Sequence, residues 1–156
     1  MPLPAGTQAA LLTAGRVGTP LIVGGAVRDA VLGVTPKDID IEVHGADIDA
    51  LVRCYRLDGF QVDEVGRQFG VLKVSKAGVV SDLDVSVPRH DSKVGAGHRG
   101  FAVALDSEMT VGEAAARRDF TVNALLYDPQ RRVLIDPFGG AADLHSRTLR
   151  HVSEQF

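Results

Sequence analysis

Strict alternation marks Asp38-Ile39-Asp40-Ile41-Glu42-Val43, and it predicts a strand with the three acids on one face and Ile39, Ile41 and Val43 packed into a core. Upstream, the apolar and β-branched run Leu21-Ile22-Val23 predicts another strand, which stops at the tight turn Gly24-Gly25. Residues 26–32 then carry helical spacing, with Val27, Ala30 and Val31 on one face and Gly33 as the stop. A short helix over residues 7–17 precedes these elements. An amphipathic helix over 46–57 follows them, with Ile48, Leu51, Val52 and Tyr55 turned inward and Cys54 as a small, semi-buried side chain.

Strand-like runs at 61–65, 71–75 and 79–87 predict a β-meander in the middle of the chain. From 88 to 100 the chain turns Gly-rich and basic, with Arg89, His90, Lys93, His98 and Arg99, and a flexible loop is expected. Thr110-Val111-Gly112-Glu113 has the spacing of a capping box and should open a helix that runs to about Arg118. Strands at 121–127 and 133–135 and a short helix at 141–146 complete the pattern, which is that of an α+β fold. The sequence holds no internal repeat, low-complexity tract or linker.

Composition narrows the function without naming it. With 156 residues, 45% of them apolar, the chain can bury one modest core, so residues 1–156 are expected to form a single domain with room for one active site. No apolar stretch approaches the ~18 residues of a membrane span, and the first residues lack the basic start of a signal peptide, so a soluble, cytoplasmic protein with no membrane partner is expected. Cys54 is the only cysteine, which excludes an internal disulfide and a thiolate metal cluster. A net charge of −3 argues against a protein that coats nucleic acid through a broad basic surface. An RNA partner would need a local basic patch, or a region outside this chain.

The candidate chemistry sits in the acids and the glycine pair. Asp38 and Asp40, one residue apart on a strand, can bracket hard cations such as Mg²⁺, which accept a few carboxylates and complete their shell with water and phosphate oxygens. An isolated D-x-D pair is also common on solvated strand faces. The Gly24-Gly25 turn strengthens the reading, because backbone amides without a neighbouring Cβ can approach phosphate oxygens. Arg28, one turn further on, has a fork suited to phosphate, or alternatively to an ion pair with Asp29. His90-Asp91 lacks the further ligands of a metal phosphohydrolase, and the isolated His44, His145 and His151 suit surface or packing roles.

Three segments taken together, Gly24-Gly25-Ala26-Val27-Arg28-Asp29, Lys37-Asp38-Ile39-Asp40 and Arg117-Arg118-Asp119-Phe120-Thr121-Val122-Asn123-Ala124, resemble the class II tRNA nucleotidyltransferase and bacterial poly(A) polymerase family. Ile135-Asp136-Pro137-Phe138-Gly139-Gly140 and Leu149-Arg150-His151-Val152 resemble the end of that family's head domain. The resemblance implies a polymerase β-type fold, a small mixed β-sheet flanked by helices with the Asp pair on a central strand. It implies Mg²⁺ at Asp38 and Asp40 and an incoming CTP or ATP against Gly24, Gly25, Arg28 and Arg118. Asp119 and Asn123 would serve the ribose or orient the arginines, and Arg117, beside them at the helix end, suits a structural role.

A third acid is expected on an adjacent strand to activate the 3′-hydroxyl of a tRNA acceptor. Asp84 is preferred, five residues before Arg89 as in the family, with Asp82 as the alternative. A poly(A) polymerase head and an inactive nucleotide-binding module are the rival expectations. The family continues with a base-selecting helix and tRNA-gripping regions beyond the point where this sequence stops, so the chain alone is expected to bind nucleotide weakly and to extend tRNA feebly.

Overall fold

The computed structural model describes residues 1–93 and 101–154. Helix α1 (Ala5–Ala14) leads into β1 (Thr19–Val23), α2 (Gly25–Val31), β2 (Asp40–His44) and α3 (Ile48–Leu57). Strands β3 (Gln61–Asp63), β4 (Val71–Lys76) and β5 (Val80–Ser86) follow, then the pair β6 (Arg89–Lys93) and β7 (Phe101–Leu105), then α4 (Val111–Ala115), β8 (Leu126–Asp128), β9 (Val133–Ile135) and α5 (Gly140–Ser146).

Seven strands form one sheet in the order β3-β4-β5-β2-β1-β8-β9, and β6 and β7 form a separate two-stranded ribbon. The meander expected in the middle of the chain is β3-β4-β5, antiparallel throughout. β5 then runs parallel to β2, while β1 is antiparallel to both β2 and β8. The sheet is therefore mixed and flanked by helices, as the pattern and the resemblance both imply.

Period two explains which face each strand buries. Ile22, Ile41, Val43, Leu72, Val74, Leu83 and Val85 pack with Ala10, Leu11 and Ala14 of α1 and Leu51, Val52 and Tyr55 of α3 in the main core. The fully buried Tyr55 donates its hydroxyl to the Ala10 carbonyl (3.0 Å) and meets Phe60 edge-on, which locks α3 against α1. Leu21 and Val23 point the other way, into a smaller cluster with Ala115, Ala124 and Leu126. Cys54 is buried on α3, its Sγ within 3.3 Å of Arg16 Nη2.

Several elements depart from the pattern. Residues 89–93 are not a loop: they form β6, whose partner β7 lies beyond the intervening glycines, while His98 and Arg99 fall outside the described residues. Residues 121–127 are not one strand, because Thr121–Asn123 form a 3₁₀ turn before β8 begins. Thr121 is held there by tertiary bonds, its Oγ1 donating to buried Asp143 (2.6 Å) and its amide to the Arg150 carbonyl (2.9 Å). Helix α4 has the expected capping box but ends at Ala115, leaving Arg117 and Arg118 in the turn that follows. Val27 and Val31, expected to share one face of α2, part company: Val27 is buried and Val31 is exposed.

None of the described helices is long and apolar enough to cross a membrane.

Candidate active site

The site forms where β1, β2 and β5 meet. Residue Gly24 closes β1 with φ 70° and ψ −139°, a conformation that costs an L-residue heavily, and α2 starts at the next residue. Glycine is required here by the backbone, since a Cβ at 24 would meet only Arg118 Nη1 at an ordinary 3.6 Å. The Arg28 guanidinium folds back over Gly25, where a Cβ would lie 3.4 Å from its Nη2.

Arg28 has partners on two sides. Its Nε and Nη2 donate to Asp29 Oδ1 (2.9 and 2.8 Å), and its Nη1 donates to Asn123 Oδ1 (2.8 Å). Asn123 in turn donates to Asp119 Oδ1 (3.1 Å), and that bond, chiefly, with the Phe120 amide, holds the Asp119 carboxyl below the usual aspartate range. The Gly24-Gly25 turn and the 119–123 segment, distant in sequence, are thus stitched together through Arg28.

The acids lie one strand over. Asp40 opens β2, and its register partner across the parallel pairing is Asp84 of β5, with Lys73 of β4 the next neighbour in line. Lys73 Nζ stands 3.3 Å from Asp84 Oδ1, a contact that raises the lysine's pKa. Asp38 precedes β2 and lies outside the regular strand. Partial desolvation and then repulsion from Asp84 raise the Asp40 carboxyl above the ordinary aspartate range; Arg118 opposes this and Asp38 adds to it. A cleft of about 440 Å³ is lined by Lys37, Asp38, Asp40, Lys73, Asp82 and Asp84. A roomier groove of about 590 Å³, among Leu11, Leu12, Tyr127 and Arg132, has no paired acids.

Mutual repulsion between neighbouring carboxylates on adjacent strands of the sheet is the kind of electrostatics that a hard divalent cation relieves. Among the described residues no three His, Cys, Asp or Glu groups form a ready-made metal cage.

Glu42 was expected to project from the strand with Asp38 and Asp40. It shares the Asp40 face but is only 2% exposed, beneath the arginines. Burial would raise its pKa, but the hydrogen bond and charge of His44, with Arg118 and Arg117, pull it below the usual glutamate value. Alternation located the face; nothing in the local pattern revealed what covers it. His44, isolated in sequence, is buried against Glu42, and His151 stacks on Phe120.

Comparison with known proteins gives a consistent answer. The chain is 41% identical over 135 residues to the multifunctional CCA protein of Xylella fastidiosa (strain 9a5c), a match covering 86% of this chain and 30% of that protein. Its fold matches the Bacillus stearothermophilus CCA-adding enzyme in complex with CTP at a TM-score of 0.75 and 27% identity, over 97% of this chain and 35% of that one. It also matches a tRNA nucleotidyltransferase complexed with a primer tRNA and an incoming ATP analog (TM-score 0.63, 26% identity, 96% of this chain and 39% of that one). The chain therefore spans about a third of the length of these relatives. The family profile described as the poly A polymerase head domain matches residues 21–150, and with that match spanning both the acid pair and the arginine turn, the chain belongs to this family.

Proposed function

We propose that the chain is the head domain of an RNA nucleotidyltransferase, one structural domain over residues 1–156, which transfers CMP or AMP from CTP or ATP to the 3′-hydroxyl of tRNA. The observation that carries this reading is the side-by-side placement of Asp40, at the start of β2, and Asp84, within β5, near the Gly24-Gly25 turn and Arg118. The relatives described above include a CCA-adding enzyme with CTP and a tRNA nucleotidyltransferase with primer tRNA, which supports both substrates. A cytoplasmic location accords with that work.

Asp38, Asp40 and Asp84 would hold Mg²⁺, which neutralises triphosphate charge and stabilises the departing pyrophosphate. The backbone at Gly24 and Gly25 leaves room for the phosphates. Arg118 and Arg28 supply the cationic fork, Arg28 after exchanging part of its bonding to Asp29. Asp119 and Asn123 offer an acceptor and an amide to the ribose. The acceptor's 3′ oxygen would form a bond to the α-phosphorus as the bond to pyrophosphate breaks, and the Asp84 carboxylate would take the hydroxyl proton.

Incubating the chain with Mg²⁺, radiolabelled CTP or ATP, and either tRNA lacking its 3′ end or oligo(A) tests the reading. Label in tRNA supports CCA addition, and label confined to oligo(A) selects a poly(A) polymerase head. Incorporation that survives both Asp38→Ala and Asp40→Ala rejects the metal assignment. Turnover by the chain alone is expected to be slow, because it spans about a third of the length of the relatives it matches.

A further inference from the structure

Along β2, Asp40, Glu42 and His44 fall on one face of the strand, yet only Asp40 is open to solvent. Glu42 spends its two oxygens in different directions. Oε1 lies 2.8 Å from His44 Nε2, whereas Oε2 lies 3.9 Å from Nη2 of both Arg117 and Arg118. His44 Nδ1 is buried without a hydrogen-bond partner among the described residues, so the ring is held through its other nitrogen, Nε2, against the carboxylate. The ring thereby fixes the Glu42 carboxylate in one orientation.

The two arginines use this buried anion differently. Arg117 is also tied on its far side, Nη1 donating to Asp91 of β6 (3.0 Å). Arg118 makes no other ion pair among the described residues, and its Nη1 hangs over Gly24. Only one terminal nitrogen of Arg118 faces Glu42, so the rest of the fork stays available at the mouth of the turn. A carboxylate this deeply buried is poorly screened, so even at 3.9 Å it biases where the guanidinium rests.

We propose that Glu42, locked by His44, is a positioning residue that holds Arg118 in place for the nucleotide phosphates. This rests on the assignment of Arg118 to the nucleotide made above. Glu42 itself touches no substrate; it acts through the arginine.

A double-mutant cycle on MgATP affinity, read by calorimetry on this chain, tests it. Glu42→Gln keeps the shape and an acceptor for His44 but removes the charge; it should raise Kd on the order of tenfold, the effect of losing a partly buried charge contact. In an Arg118→Ala background the same substitution should change Kd by less than about twofold. An equal loss in both backgrounds makes Glu42 a purely structural counter-ion and overturns the proposal. An Arg118→Ala chain that binds MgATP as wild type does rejects the assignment beneath it, and the inference with it. Should Glu42→Gln fail to fold, Glu42→Asp, which retains the charge but withdraws it by one methylene, enters the same cycle with the same criterion.

Discussion

Asp40 and Asp84 are register partners across the parallel junction of β2 and β5, so two carboxylates are held side by side by backbone hydrogen bonding and repel one another. A site arranged this way sacrifices stability for ligand affinity. Because the Asp40 pKa is raised in the folded state, the unfolded chain ionises first, and stability falls as pH rises through the aspartate range towards the folded value. Asp40→Asn should therefore raise the melting temperature at neutral pH, by roughly 1–3 °C given how far solvent screens an exposed carboxylate, while abolishing metal-dependent transfer. Thermal melts at pH 7 without divalent ions check the first outcome.

Gly24 should be intolerant for reasons of backbone alone. Gly24→Ala places an L-residue at φ 70° and ψ −139°, with an expected loss of about 1–3 kcal/mol and a displaced α2 start. Urea denaturation of the variant measures it; a loss near zero would mean that the turn adapts without strain.

The α1–α3 contact should be stiff. Tyr55→Phe removes the hydroxyl bond to Ala10 and should cost about 1 kcal/mol, whereas Leu51→Ala, at a position with no exposure, should cost about 2–5 kcal/mol. Both are read from equilibrium unfolding.

The end of α1 supplies a pH signature. Asp58 is held below the ordinary aspartate value chiefly by its hydrogen bond with Arg16 and then by Thr13, whose Oγ1 donates to it at 2.5 Å. A depressed carboxylate contributes stability above its unfolded pKa and loses it as pH falls through the folded value. The melting-temperature gap between wild type and Asp58→Asn should hold from pH 7 to 5 and close below about pH 4. A gap that is constant down to pH 3 would contradict the pairing.

Much of this was legible in the sequence because the relevant signals are local. Period two over 39–43 located β2 and its core face, the Gly24-Gly25 pair marked the strand–helix turn, and Thr110 with Glu113 announced a capping box that forms as expected. What escaped depends on partners far along the chain. β6 is stabilised as a strand by β7 despite its polar, charged composition, and the β-branched Thr121-Val122 segment is bent into a 3₁₀ turn by Asp143 and Arg150. Glu42 read as a solvent-facing acid because alternation assigns a face and says nothing about the two arginines that cover it.

The metal assignment can be read most directly from Mn²⁺, as a stand-in for Mg²⁺, titrated into the chain with a nonhydrolysable ATP analogue and followed by electron paramagnetic resonance. Wild type should take up Mn²⁺ more tightly with nucleotide than without, and Asp40→Ala and Asp84→Ala should each weaken that uptake by at least about tenfold, the loss of one carboxylate ligand. Unchanged Mn²⁺ affinity in both variants would contradict a metal site built on Asp40 and Asp84.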